Sequence, residues 1–318
     1  MLKSAQSVLN NLIQNKPKII FIIGPTAAGK SGLAVELAKK INGEIVSCDS
    51  MAVYKGMDII SSKPSKALQR QIPHHLIDIM PPSKEYNAAK FVRDAERAIK
   101  AILKKKKTPL VCGGSGLYVD SLFYGVFKEP KGDKKLRAKL EKEAKKFGNA
   151  HLYARLKELD KDAAEKIHPN NLRRIIRALE VCLISKDKFS RIKQNRHGLL
   201  DKYDARIFAV NLSRDKLYAR IEARVDKMFA QGLVKEVKGL LKKKLSRTAR
   251  QALGIKEVEG YLKEEYDLEK AKYLLKRNSR HFAKRQLTWF RRNKYIHWLD
   301  AAENFNKLAC KMATQAGR

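Results

Sequence analysis

The stretch Lys18-Ile-Ile-Phe-Ile-Ile23, followed at once by Gly24-Pro-Thr-Ala-Ala-Gly-Lys-Ser31, decides the fold. The first segment is a short apolar run rich in β-branched residues, which is typical of a buried parallel strand. The second has the spacing GxxxxGKS. Its two glycines let the backbone curl so that N–H groups point at phosphate oxygens. Together the two segments predict a strand that ends in a phosphate-binding loop.

A helix is expected directly after this loop, because residues 31–41 have apolar side chains at helical spacing. Its positive N-terminal end would face the bound anion. Lys30 adds a point charge, and the Ser31 hydroxyl is placed to ligate Mg²⁺. We therefore predict a di- or triphosphate site made of consecutive residues: Gly24, Pro25, Thr26, Ala27, Ala28, Gly29, Lys30 and Ser31.

Further strands are predicted on both sides of a long helical segment, at Glu44–Asp49, Thr108–Cys112 and Ala205–Leu212, with a helix at Asn87–Lys104. Strands that alternate with helices and end in glycines indicate an α/β fold. We predict a P-loop NTPase-like parallel sheet flanked by helices, formed by residues 1–127 and 203–318. Residues 128–202 lack strand signals and predict an all-helical insertion. Helical patterns are expected from about Arg214 to the C-terminus.

The chain is strongly basic, with 69 Lys and Arg against 33 Asp and Glu among 318 residues, a net charge of +36. This excess costs self-repulsion that a polyanionic partner would offset, and nucleic acid is the first candidate. The alternative is a surface of solvated lysines. The runs Lys104–Lys107 and Lys242–Lys244 are expected to be solvated helix ends.

The cysteines are widely spaced, at Cys48, Cys112, Cys182 and Cys310, which argues against a disulfide scaffold or a thiolate zinc site. No apolar run reaches the roughly 20 residues of a membrane span. The segment Met1–Lys18 is amphipathic, unlike a secretory signal. We expect a cytoplasmic protein.

Asp49 follows a predicted strand, where ligands of open α/β sheets bind. It could accept a proton or ligate a metal; as an alternative it caps a helix.

Ser115 lies in Gly113-Gly-Ser-Gly116 at another strand end, where a motor enzyme would carry an acid. This favours a small-molecule transferase such as a nucleotide kinase. The adjacent His74 and His75 would point to opposite faces of a strand, so we expect them to be structural or to support residues of the site, and not to form a metal pair.

The ordered motifs of the chain resemble those of the bacterial tRNA dimethylallyltransferases, also called tRNA isopentenyltransferases. The resemblance runs from about Lys18 to Asp300. Beyond the phosphate loop it rests on Asp49-Ser-Met-Ala-Val-Tyr-Lys-Gly56, Asp58-Ile-Ile-Ser-Ser-Lys-Pro64, His74-His-Leu-Ile-Asp78, Gly113-Gly-Ser-Gly-Leu-Tyr118, Arg177-Ala-Leu-Glu-Val181, Arg224-Val-Asp-Lys-Met228 and Ala283-Lys-Arg-Gln-Leu-Thr-Trp-Phe290.

This resemblance implies that the phosphate loop holds dimethylallyl diphosphate rather than ATP. The prenyl group would go to N6 of the adenosine immediately 3′ of the anticodon, in tRNAs that read codons beginning with U. Asp49 matches the family's general base, and Arg224 matches the arginine that acts with Lys30 and Mg²⁺ on the leaving diphosphate. Ser115 would lie beside the channel that receives the adenine.

The resemblance also implies contacts with the anticodon stem-loop of tRNA and a helical insertion that binds tRNA. The matching positions are Asp49, Ser50, Met51, Ala52, Ser115, Arg137, Arg173, Arg174, Arg177, Gln251 and Lys256. Within this set, Arg173 and Arg177 are four residues apart and so share one helix face. A monomer is expected.

The sequence departs from the family pattern at several positions. Ser115 stands where Thr is usual, Ala52 replaces a frequent Gln, Ile60-Ser61-Ser62 replaces Gly-Thr-Ala, and Ile255 replaces a frequent Tyr. Two alternatives stay open: a nucleotide or small-metabolite kinase, and a non-catalytic RNA-binding protein. The second leaves the phosphate loop and Asp49 unexplained.

Overall fold

The computed structural model describes residues 16–126, 130, 132–194, 197–301 and 303–317. Lys128, where the insertion is predicted to begin, and most of the segment Met1–Lys18 lie outside the described residues. The chain divides into two compact units. The core unit comprises Met1–Phe123 and Leu199–Arg318, and the helical unit comprises Tyr124–Gly198.

The described part of the core unit contains a parallel sheet of six strands. In chain order these are β1 Lys18–Ile23, β2 Gly43–Ser47, β3 His74–His75, β4 Thr108–Gly113, β5 Asp204–Asn211 and β6 Ile296–Asp300. Their order across the sheet is β3-β2-β4-β1-β5-β6, and every pairing is parallel. The predicted P-loop NTPase-like α/β fold is confirmed.

Helices follow most of the strands. In chain order they are α1 Lys30–Lys40, α2 Lys66–Gln71, α3 Ala88–Lys104, α4 Gly116–Phe123, α5 Lys134–Phe147, α6 Asn149–Leu159, α7 Lys161–Glu165, α8 Leu172–Ser185, α9 Phe189–Gln194, α10 Leu199–Lys202, α11 Arg214–Ala230, α12 Leu233–Leu241, α13 Ile255–Leu262, α14 Leu268–Phe290 and α15 Phe305–Gly317. Of these, α5–α9 belong to the helical unit. No helix among the described residues is both long and apolar enough to cross a membrane.

Strand β1 lies in the middle of the sheet and is covered on both faces. Ile20 and Ile22 belong to one apolar cluster with Leu33 of α1. On the other face the Phe21 ring meets the Phe123 ring edge-on, with centroids 5.7 Å apart. Because successive side chains point to opposite faces, burial of both faces explains why the run at 18–23 has no polar alternation.

Strand β6 shows where the sequence prediction was wrong, since helix was expected throughout the C-terminal part. The strand pairs with β5 at the edge of the sheet. Only Ile296 is buried along it. An edge strand with one buried residue gives no apolar run, so local periodicity carried no strand signal there.

The helical unit has its own apolar core, which includes Leu140 of α5, Leu152 of α6 and Leu179 of α8. Asp160, 1% exposed, caps the start of α7 through the Ala163 N–H, 3.1 Å away. Its carboxylate also accepts hydrogen bonds from the backbone and side chain of Ser190, at 2.7 and 2.8 Å. One buried acid therefore ties α7 to α9.

Glu44, near the start of β2, is a second buried acid, only 1% exposed. It accepts hydrogen bonds from Lys107 Nζ at 3.0 Å and Lys105 Nζ at 3.2 Å, and His75 Nε2 lies 2.8 Å away. Two lysines of the run expected to be solvated are thus paired. Burial alone raises the pKa of the Glu44 carboxyl, but hydrogen bonds from His75, Lys107 and Lys105 outweigh it and lower the pKa to about 2.

Glu44→Gln should lower the free energy of unfolding at pH 7 by about 1–3 kcal/mol, because two lysines and a histidine lose a charged acceptor. The folded-state pKa of about 2 lies below the ordinary value of 4.5. The ionic part of the stabilisation is therefore complete above pH 4.5 and is lost as the pH falls towards 2. Urea unfolding at several pH values should show the two proteins converging in acid.

Glu36→Gln is the matched control, because Glu36 forms an exposed pair with Lys39 and such pairs contribute roughly 0–1 kcal/mol. Equal stability of the Glu44→Gln variant and the parent protein at pH 7 would contradict the assignment.

Candidate active site

The phosphate loop joins the end of β1 to the start of α1. Gly29 closes it with a φ of 89°, a left-handed conformation that favours glycine. A Cβ atom at Gly29 would lie 2.4 Å from Cζ of Phe305, the first residue of α15. Lys30 Nζ donates a hydrogen bond to the Pro25 carbonyl of the same loop at 2.6 Å. The loop is therefore curled as the GxxxxGKS spacing predicts.

Lys30 and Arg224 are partly buried cations, and both interact electrostatically with the Asp49 carboxylate. Burial lowers the pKa of the Lys30 ammonium to about 8, against the opposing effects of Cys112 and Asp49 and with a further lowering by Arg224. Burial also lowers the pKa of Arg224, which Asp49 raises. Arg224 Nε is buried and has no hydrogen-bond partner among the described residues. Two cations beside one carboxylate leave an excess of positive charge for an anion.

Asp49 follows β2 and caps a turn rather than a helix. Its Oδ1 accepts hydrogen bonds from Met51 N at 2.8 Å and Ala52 N at 3.2 Å. The alternative that Asp49 caps a helix is therefore wrong, because the backbone N–H groups that it binds belong to a turn. None of the described residues donates a hydrogen bond to Oδ2, so one carboxylate oxygen is held by the backbone and the other is available.

The second glycine loop contacts the segment that carries Asp49. A Cβ atom at Gly113 would lie 2.1 Å from the Cys48 carbonyl oxygen, so only glycine fits there. Ser115 Oγ accepts a hydrogen bond from Ser50 N at 3.0 Å and donates to Ser50 Oγ at 3.4 Å. The structure thus brings Ser115 next to the residue that follows Asp49.

Gln286 of α14 contacts both glycine loops and was not singled out from the sequence. Its Oε1 accepts a hydrogen bond from Thr26 N at 2.9 Å. Its Nε2 donates to the Gly114 carbonyl at 2.8 Å. The sequence separations are 260 and 172 residues, so no local pattern could have linked the three positions.

The arginines predicted to contact RNA differ in their surroundings within the helical unit. Arg173 and Arg174 are exposed at the start of α8. Arg137 instead donates from Nε and Nη2 to the Glu180 carboxylate, both at 2.8 Å, and Arg177 donates to the same group. Glu180 is fully buried. Arg173 and Arg177 lie four residues apart on one helix, but only Arg173 is exposed, because Arg177 is half-buried and bound to Glu180.

The chain matches the model of the family described as IPP transferase over residues 52–293, more than half of its length. The chain belongs to the IPP transferase family. A tRNA dimethylallyltransferase of Halothermothrix orenii is 46% identical over 294 residues, covering 91% of this chain and 89% of the relative. The predicted resemblance is confirmed.

Solved structures of the family have the same fold. The tRNA delta(2)-isopentenylpyrophosphate transferase of Staphylococcus epidermidis is 38% identical, with a TM-score of 0.69 and coverage of 95% of this chain and 99% of that one. A eukaryotic dimethylallyltransferase acting on tRNA is 31% identical, with a TM-score of 0.80 and coverage of 93% and 77%.

Two departures from the IPP transferase pattern meet in the core unit. Ile255 is fully buried, whereas Gln251 and Lys256 are exposed. A Cβ atom on Gly254 would lie 3.2 Å from Cγ1 of Ile60, which is itself 7% exposed. Ile60 and Ile255 are therefore buried beside Gly254, whereas the side chains of Gln251 and Lys256 face solvent.

Arg224→Met should weaken the binding of inorganic diphosphate about 10–100-fold, because charged hydrogen bonds contribute about 1.5–3 kcal/mol each. The thermal midpoint of the ligand-free protein should stay the same or rise, since the change removes a desolvated charge with an unpartnered nitrogen. Titration calorimetry and thermal unfolding test the two effects separately.

Arg220→Met is the matched control, one turn earlier on α11 and exposed. It should leave diphosphate affinity close to that of the parent protein. A loss of stability in Arg224→Met without a loss of diphosphate affinity would make Arg224 a structural residue.

Proposed function

We propose that the chain transfers the dimethylallyl group of dimethylallyl diphosphate to N6 of the adenosine immediately 3′ of the anticodon, in tRNAs that read codons beginning with U. Membership of the IPP transferase family and the names of its relatives support this function. In the structure, the observation that carries it is the pair of partly buried cations, Lys30 and Arg224, that interact with the Asp49 carboxylate.

The donor's diphosphate binds in the loop Gly24–Ser31, where backbone N–H groups and the positive end of α1 receive it. N6 of adenine attacks the allylic carbon that carries the diphosphate, the carbon–oxygen bond breaks, and the electron pair leaves with the diphosphate. Lys30 and Arg224, whose Nε has no hydrogen-bond partner among the described residues, stabilise the charge that develops on the leaving group.

Mg²⁺ is the proposed metal, with the Ser31 hydroxyl as its protein ligand. The fit rests on donor chemistry: Mg²⁺ prefers oxygen ligands, keeps several waters and commonly binds through substrate phosphates with few protein groups. The described residues contain no cluster of three His, Cys, Asp or Glu side chains that could hold a metal alone. When bound, the ion would neutralise charge on the diphosphate.

Asp49 is the proposed general base. Its Oδ1 is fixed by Met51 N and Ala52 N, so Oδ2 can take the proton that N6 loses. The adenine has to leave the base stack to reach this position. Ser115, whose Oγ accepts a hydrogen bond from Ser50 N, is proposed to border the space that the adenine would enter.

Each unit contains residues that we propose contact RNA. In the core unit these are Asp49–Ala52, Gln251 and Lys256. Ala52 is 3% exposed, so its backbone rather than its side chain would contact RNA. In the helical unit, which we propose binds tRNA, Arg173 and Arg174 are exposed, whereas Arg137 and Arg177 pair with the Glu180 carboxylate.

Three further lysines support a polyanionic partner. Lys55, Lys243 and Lys244 line a cavity of about 370 Å³ in the core unit, and none has an acidic partner among the described residues.

With tRNA as the acceptor, we propose the cytoplasm as the compartment and a monomer as the working form. The kinase alternative shares the phosphate loop but receives no support from the family assignment.

Labelled dimethylallyl diphosphate, Mg²⁺ and tRNA with an adenosine next to the anticodon should give prenylated tRNA and free diphosphate. ATP should not replace the prenyl donor, because it carries no allylic carbon. Product analysis by mass spectrometry of the digested tRNA locates the group. Consumption of ATP with no prenyl group on the RNA would favour a kinase instead.

Asp49→Asn should lower the turnover number about 100-fold or more, the range for loss of a general base, while tRNA affinity changes far less, because Asp49 is one of several residues proposed to contact RNA. The amide oxygen can still accept from Met51 N and Ala52 N, so the turn is preserved. Asp49→Ala, which loses both functions, separates the two effects. Full activity of Asp49→Asn would leave Asp49 as a turn cap only.

A further inference from the structure

The side chain of Gln286 joins the phosphate loop to the second glycine loop. It accepts from Thr26 N at 2.9 Å and donates to the Gly114 carbonyl at 2.8 Å. Only 6% of the residue is exposed. Both bonds are therefore sheltered from water, where an unpaired partner would be costly.

The orientation of this amide follows from its partners. An N–H can only donate and a carbonyl can only accept, so Oε1 must face Thr26 and Nε2 must face Gly114. Glutamate would place an oxygen against the Gly114 carbonyl, and methionine would make neither bond. Glutamine, glutamate and methionine have similar lengths, but only glutamine forms a hydrogen bond with each of the two loops.

Two consequences follow for the site. The Thr26 N–H is already bonded, so it is not free to receive a phosphate oxygen. The second loop is also held close, because a Cβ atom at Gly114 would lie 2.4 Å from Gln286 Nε2. The planar amide thus sets the separation between the loop proposed to hold the donor and the loop that carries Ser115.

We propose that Gln286 is a positioning residue for prenyl transfer. It fixes the donor loop relative to the acceptor side of the site, where Ser115 is bonded to Ser50 next to Asp49. This inference rests on the proposed function. Reactions of this kind are sensitive to geometry, since a misplacement of about 1 Å can cost about 100-fold in rate. Gln286 itself touches neither substrate in this scheme.

Gln286→Met should lower the turnover number about 100-fold, while the dissociation constants of inorganic diphosphate and of tRNA stay close to those of the parent protein. Single-turnover rates at saturating substrate, measured well below the thermal midpoint, test this. Turnover of Gln286→Met equal to that of the parent protein would overturn the proposal. So would a fall in activity explained entirely by weaker diphosphate binding.

Gln286→Glu provides a readout that a merely structural residue would not move. The carboxylate accepts from Thr26 N but repels the Gly114 carbonyl. Once protonated, the introduced carboxyl can donate to that carbonyl. The activity of Gln286→Glu relative to Gln286→Met should therefore rise as the pH is lowered. A constant ratio across the pH range would count against the two-loop role.

Tyr266→Phe is the control for general destabilisation. The Tyr266 hydroxyl donates to the Glu257 carbonyl at 2.9 Å, away from both glycine loops in sequence and in bonding. If it lowers turnover as much as Gln286→Met at matched loss of thermal stability, the positioning role is excluded. An inactive parent protein would instead refute the proposed function, so the two failures are distinguishable.

Discussion

Desolvation of positive charge is the constraint on which the site depends. Burial lowers the pKa of both Lys30 and Arg224, and the Asp49 carboxylate opposes that effect on each; Arg224 Nε is buried without a partner among the described residues. Such an arrangement is unfavourable without an anion, so the surrounding fold must hold it in place. The central position of β1, the contact of Phe305 with Gly29, and the bonds of Gln286 all act on the loop that carries Lys30.

Local patterns predicted the features that depend on neighbouring residues. The bounds of β1 agree with the sequence prediction to the residue, and the phosphate loop and α1 followed from glycine spacing and helical periodicity. Contacts between distant positions could not be predicted in this way. Glu44 meets Lys105 and Lys107, 61 and 63 residues later, and nothing in the Lys104–Lys107 run distinguishes a paired lysine from a solvated one.

The same limit applies to the positions that are predicted to contact RNA. Helical spacing indicated that Arg173 and Arg177 share a face, but it could not reveal the buried Glu180 that binds Arg177 and Arg137. Ile60 and Ile255 were noted as separate departures from the family pattern. Only the folded chain shows that Ile60 lies against Gly254, the neighbour of Ile255 in the sequence, and that both isoleucines are buried.

The parallel pairing of β1 with β5 has a consequence for how the chain is made. β1 leaves the ribosome well before Asp204–Asn211, which forms one of its two neighbours, and the Phe305 ring that packs against Gly29 comes later still. The helical unit is contiguous in sequence and has its own apolar core, whereas the core unit depends on non-local partners. A chain whose synthesis has not yet reached β5 and α15 therefore carries the complete GxxxxGKS sequence without the contacts that hold the phosphate loop in its folded conformation.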